Sequence, residues 1–165
     1  MKKDRFLIGI LIFIGLLVVI SVALFFIRGR NQAYGPDSTP DGVLKNYALA
    51  LQNMDYERAY TYLADRQSKP TYETFRQAFL TRMLDTSNSA LQVGKVYQDS
   101  PDTAWVEVSI LFAGTGLFDT GWTNNDKGTL ILQNGAWKIT YLPNPYWGWD
   151  WYTPTPIPIP APGKP

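Results

Sequence analysis

The apolar residues of this chain change their period once, near Ala90, and that change restricts the fold more than any other feature. Before it, Val43, Leu44, Tyr47, Ala48 and Leu51 recur as one helical stripe. Ser38 or Thr39 offers an N-cap, with Pro40 in the first position and Asp41 in the first turn. Asp55 can cap a second, shorter helix carrying Tyr56, Ala59, Tyr60 and Leu63 on one face. Thr71 can cap a third, with Phe75, Ala78, Phe79, Leu80 and Met83 as its apolar side. After "DTSNS" (85–89) the period becomes two. "ALQVGKVYQ" reads as a strand with a bulge at Gly94, where the parity of Leu91 and Val93 breaks. "TAWVEVSILFA" places Val106, Val108, Ile110 and Phe112 on one face and Trp105, Glu107, Ser109 and Leu111 on a wetter one. "GTLILQ" and "AWKITYL" flank Asn134-Gly135, the strongest hairpin signal in the chain. Three helices followed by a four-strand antiparallel meander predict an α+β fold.

A second feature stands apart. Phe6 to Ile27 contains no charge, and Ser21 is its only polar side chain. On length and purity it reads as a transmembrane signal anchor. A cleaved signal peptide fits less well, because the run is long and ends in Phe25-Phe26-Ile27 without a small-x-small site. Lys2, Lys3 and Arg5 precede it, and Arg28 and Arg30 follow. By the positive-inside rule the N-terminus is expected in the cytoplasm and the domain outside, a single-pass cell-membrane protein with the bilayer as partner through residues 6–27. The expected organisation is then a cytoplasmic tip and anchor at 1–30, a linker at 31–38, a domain at 39–142, an aromatic extension at 143–152 and a proline-rich tail at 153–165.

Composition excludes several chemistries. The chain has 15 basic and 14 acidic residues, no His and no Cys. Five of the basic residues and one of the acidic lie in the first thirty, so the remainder carries a net charge of −3. No basic patch points to nucleic acid. Zero Cys removes disulfides, thiolate metal sites and thiol nucleophiles. Zero His removes the commonest general base and metal ligand, so catalysis would have to use carboxylates, Lys, Tyr, Ser or Thr. The glycines of segment 113–128 match no phosphate-loop pattern, and its acids are too sparse for a calcium loop; it reads as a long connection between strands. No metal, cofactor or catalytic residue is assigned.

The stretch "LPNPYWGWDWY" (142–152) alternates Trp147, Trp149 and Trp151 with Tyr146, Gly148, Asp150 and Tyr152. Pro143, Pro145 and Pro154 favour an extended chain, which would put the three indoles on one face. At least part of that face is expected to fold back onto the domain; contact with a membrane or partner and a ligand platform are the alternatives. The tail "TPTPIPIPAPGKP" cannot enter a helix or a sheet interior and is expected to be extended, polyproline-II-like. Composition alone favours a spacer over a recognition motif there.

Taken together, "DGVLKNYALALQNMDYERAYTYLAD", "TYETFRQAFL" and "GTLILQNGAWKITYL" resemble the helical opening and terminal hairpin of the nuclear transport factor 2-like (cystatin-like cone) superfamily. The resemblance covers about residues 39–142 and is nearest to membrane-anchored bacterial members of unassigned role. It implies a curved sheet wrapped on the helices, with a pocket between, and no single activity. The expected function is a non-catalytic binding or assembly module at the membrane surface, taking a small apolar ligand or a protein partner. Tyr47, Tyr60, Trp105, Phe118, Trp122, Trp147, Trp149 and Trp151 are the candidate contact residues. The alternatives are a lyase or isomerase pairing a pocket Tyr with a carboxylate such as Asp55 or Glu107, and a purely structural spacer of a membrane complex.

Overall fold

The structure is a computed structural model; it describes residues 5–29, 33–114, 116 and 119–153, with side chains in the first helix described over 8–24. The chain divides into two compact units, Met1–Tyr34 and Gly35–Pro165.

The first unit contains α1, Arg5–Gly29. Its described side chains are exposed all round. The expected single-pass span is corrected here: among the described residues no helix is long and apolar enough to cross a membrane. The expected span, Phe6 to Ile27, included side chains outside those described, which run from 8 to 24. The signal anchor, the single-pass membrane localisation and the extracytoplasmic placement of the domain rested on that span and fall with it. The tip, residues 1–4, lies outside the described residues.

The second unit is the α+β domain. Helix α2 (Pro40–Gln52) starts where Thr39 accepts a hydrogen bond from the Gly42 N–H, with Pro40 in the first turn. Asp55 caps α3 (Tyr56–Thr61) by accepting from the Arg58 N–H at 3.1 Å, and Thr71 caps α4 (Tyr72–Leu80) through the Thr74 N–H at 3.2 Å. Four strands follow in the order β1 (Ser89–Ser100), β2 (Thr103–Phe112), β3 (Trp122–Gln133) and β4 (Ala136–Tyr141), each antiparallel to its neighbour.

Local chemistry accounts for the register. Val93 pairs with Val108 and Val96 with Val106, so Gly94 and Lys95 together oppose Glu107, a bulge at the expected place. Asn134 (φ 54°) and Gly135 (φ 77°) both take the left-handed conformation that a two-residue hairpin of the primed type requires. Strand β3 is longer than "GTLILQ". Trp122 to Lys127 pair with Phe112 to Glu107, so the last part of the expected connection is ladder. Its Thr, Asn, Asp and Lys side chains conceal it in the sequence because they are exposed.

The core lies between α2 and the inner face of the sheet, where Val43, Leu44 and Leu51 are buried together with Val106, Val108, Ile110, Leu130 and Ile139. Gly128 on β3 permits the close approach: a Cβ there would stand 3.0 Å from Leu44 Cδ1 and 2.9 Å from Leu142 Cδ2. The free edge of β4 is covered. Ile139 donates to the Tyr62 carbonyl at 2.8 Å and accepts from the Ala64 N–H at 3.0 Å, which removes an exposed edge. Of the polar stretch before α2, Gly35 is tied to the buried Asn46, whose amide oxygen accepts from the Gly35 N–H and whose amide nitrogen donates to the Gly35 carbonyl, each at 2.8 Å. The same nitrogen donates to Asp37. Asn46→Ala removes all three bonds at a buried position. It should lower unfolding stability by ~1–3 kcal/mol, read as a reduced urea midpoint.

Candidate functional site

The segment after β4 is not an extended ribbon. Tyr146 N–H donates to the Pro143 carbonyl at 3.1 Å, Trp151 N–H to Gly148 at 3.2 Å and Thr153 N–H to Asp150 at 3.3 Å, so the chain turns repeatedly. The alternating face is thereby broken. Trp147 and Trp151 are buried, Trp149 is 84% exposed, and Tyr146, expected on the opposite face, is fully buried. Gly148 is the reason the turn can close. A Cβ there would lie 2.4 Å from Trp151 Nε1 and 2.6 Å from Cε2, so only glycine lets the indole fold back over the backbone.

The two buried indoles enter an aromatic cluster. Trp151 meets Phe75 at 5.3 Å and Phe79 at 6.3 Å between ring centroids, and Trp147 meets Trp151 edge-on at 5.1 Å. Such contacts add to plain burial. Polar groups of the segment are bound to backbone. Tyr47 Oη, from α2, donates to the Tyr146 carbonyl at 2.7 Å. Tyr146 Oη donates to the Ser89 carbonyl at 3.3 Å, and Tyr152 Oη donates to the Ala64 carbonyl. Burial pushes all three phenols above their ordinary value, Tyr47 most strongly.

The surface that remains is an open cleft of about 390 Å³ beside Trp149. Its walls include Thr140, Tyr141, Asn144, Trp147, Trp149 and Thr153. Tyr141 comes to this face by an irregularity in β4: Leu130 pairs with Ile139 but Thr129 with Tyr141. The strand slips at Thr140, whose hydroxyl donates to the Thr129 carbonyl at 3.0 Å, and Tyr141 turns outward, 41% exposed. Its hydroxyl donates to Asp126 at 3.3 Å. A second cleft, of about 450 Å³, lies near Met54, Tyr56, Phe79, Arg82 and Asp85. There Ser87 donates to Asp85 twice, at 2.9 and 2.6 Å, which holds that carboxyl below the usual range.

The expected contact residues scatter. Tyr47 is interior. Tyr60 sits against Tyr72 and Phe75, donates to the Pro70 carbonyl at 2.9 Å and carries the Lys69 ammonium 4.5 Å from its ring centroid. Trp105 stacks on Tyr97 at 4.0 Å on the outer sheet face, and Trp122 stacks on Phe112 at the sheet's end, also at 4.0 Å. Phe118 lies outside the described residues. Only Trp147, Trp149 and Trp151 share the cleft. Sequence reading missed Tyr141 and Asn144; a slip in β4 and a turn bring them in, and neither has a residue-level signature.

Tyrosine–carboxylate pairs do occur. Tyr62 donates to Asp37 at 3.1 Å, Tyr97 to Glu107 at 2.8 Å and Tyr141 to Asp126. All three acids are exposed, and among the described residues Asn46 is the only buried polar or charged one. Asp55 serves as a helix cap. None of these acids stands in the buried, water-excluded setting that a pocket base needs.

No protein-family model and no curated protein matches the chain. Solved structures to which it is similar include a SEC-C motif containing protein from Rhodopseudomonas palustris, with TM-score 0.48 and 13% identity over 65% of this chain and 79% of that one. An NTF-2 like protein of unknown function from Shewanella oneidensis MR-1 gives 0.45 and 14%, over 59% and 88%. A ketosteroid isomerase-like protein from Erwinia carotovora atroseptica gives 0.42 and 15%, over 60% and 86%. Nuclear transport factor 2-like and ketosteroid isomerase-like proteins are thus among its structural neighbours. At these scores the likeness says nothing of what this chain does.

Gly148→Ala must displace a buried indole and should cost ~1–3 kcal/mol, measured by urea unfolding. The buried phenols set a pH dependence. Their folded values lie above the unfolded value of about 10, so the stability they contribute is complete below it and is lost as pH rises through the folded values. The melting temperature should fall above about pH 10, with tyrosinate absorbance appearing together with unfolding. Tyr47→Phe should flatten that fall.

Proposed function

We propose that this chain is a non-catalytic binding module of the nuclear transport factor 2-like superfamily. It holds an extended, apolar peptide segment of a protein partner in the cleft beside Trp149. One observation carries the reading: Trp149 stands 84% exposed over an open cleft while its two neighbours at alternate positions are buried. Burying a large apolar side chain is worth ~1.5–3 kcal/mol, so an indole left in water beside Tyr141 offers a contact to a partner. Asn144, Thr140 and Thr153 supply the few polar groups that orient a backbone. The order of helices and strands and the motifs of the terminal hairpin support the superfamily assignment. A ligand inside the domain is less favoured, because Trp151 packs against α4 there and Trp147 is buried on Trp151.

The probe is a synthetic poly-L-proline decapeptide, titrated into the full chain and followed by tryptophan fluorescence. Saturable binding is expected. Trp149→Ala should weaken it at least tenfold, in keeping with a tryptophan anchor worth ~2 kcal/mol or more. Unfolding stability should change by no more than ~0.5 kcal/mol, as for a surface site. Equal binding by the variant, or none by either, would overturn the assignment.

A further inference from the structure

We infer that the natural occupant of the Trp149 cleft is the chain's own proline-rich tail, residues 154–165, bound within the same molecule. The inference rests on the cleft being a peptide site, as proposed above. Composition alone made this tail a spacer; the position of Thr153 changes that reading. Thr153 is itself a wall of the cleft, together with Trp149, Tyr141 and Asn144. The tail therefore begins inside the site. Twelve residues in a polyproline-II helix span up to ~37 Å at ~3.1 Å per residue, ample to run along it.

The chemistry of the two partners matches. Proline stands at 154, 156, 158, 160, 162 and 165, so six peptide nitrogens carry no hydrogen and the segment can join neither helix nor sheet interior. Flat aromatic walls are the surfaces that take such segments. Trp149 and Tyr141 provide exposed rings. The tail's carbonyls need donors, and the Asn144 amide lies along the walls; the Thr140 and Thr153 hydroxyls already donate to the Thr129 and Asp150 carbonyls and can only accept. No charged side chain occurs from 154 to 163, so the segment enters without desolvating an ion. A proline at every second position from 154 to 162 restricts the free segment to few conformations, which keeps the entropic cost of seating low. Tethering adds the rest: a short linker holds a ligand at roughly millimolar effective concentration.

The result is a self-occupied site that a partner segment must compete to enter. The test compares the full chain with a variant ending at Thr153. Each is titrated with the synthetic peptide Thr-Pro-Thr-Pro-Ile-Pro-Ile-Pro-Ala-Pro, and the indole N–H signal of Trp149 is followed by NMR. That signal is assigned by its loss in Trp149→Phe. The shortened chain should bind the peptide, and the full chain should bind it about tenfold or more weakly, as an internal competitor at millimolar effective concentration dictates. Pro156→Ser/Pro158→Ser/Pro160→Ser in the full chain should relieve the block equally, and it serves if the shortened chain does not fold. Equal binding by full and shortened chains would overturn the tail as occupant and leave the peptide site standing. Binding by neither would overturn both. A block that disappears on dilution would place the tail of a second copy in the cleft and overturn the intramolecular assignment.

Discussion

The hydrogen bond from Tyr47 Oη to the Tyr146 carbonyl, at 2.7 Å between two fully buried residues, joins positions 99 apart in sequence. It anchors the segment after the last strand to the helix that covers the sheet. A buried phenol without a partner would cost ~1–3 kcal/mol, and so would the turn carbonyl it satisfies. Once it is made, Trp151 is placed against α4 with Trp147 packed on it, and Tyr152 reaches the backbone of residues 64–68 through the Ala64 carbonyl and the Ser68 carbonyl. Helices, sheet and the loop after α3 are thus linked by one short segment.

That arrangement has a functional consequence. In a fold with a pocket between helices and sheet, any group that packs there competes with a ligand. Here Trp151 packs against Phe75 and Phe79 of α4, and Trp147 packs on Trp151. The proposed peptide site therefore lies on the outside, at Trp149, the indole of this segment that Gly148 and its turn leave in water. The carboxylates of the tyrosine–carboxylate pairs are likewise outside, and the bonds from Lys69 and Ser87 hold Asp65 and Asp85 below the usual range.

Much of the domain was legible in the residues. Thr39, Asp55 and Thr71 cap the helices they were read to cap, Gly94 marks the bulge, and Asn134-Gly135 makes the hairpin. Each is a local device whose cause lies within a few residues. The first half of β3 was illegible because its polar residues are exposed and leave no apolar alternation. The cleft was legible only in part. Trp149 was a candidate, but nothing local separates it from Trp147 and Trp151, and Tyr141 changes face through a slip in pairing with Thr129.

By itself the sequence determined the α+β class, the helix starts, the hairpin and the absence of histidine and cysteine chemistry, since these follow from period, capping groups and composition. It also led to the expectation of a membrane span, which the described residues of α1 do not sustain. Tertiary structure alone decided which tryptophans are buried. Burial depends on partners distant in the chain: Tyr47 for the turn, Phe75 and Phe79 for the indoles, and the missing side chain of Gly148 for the space to fold back.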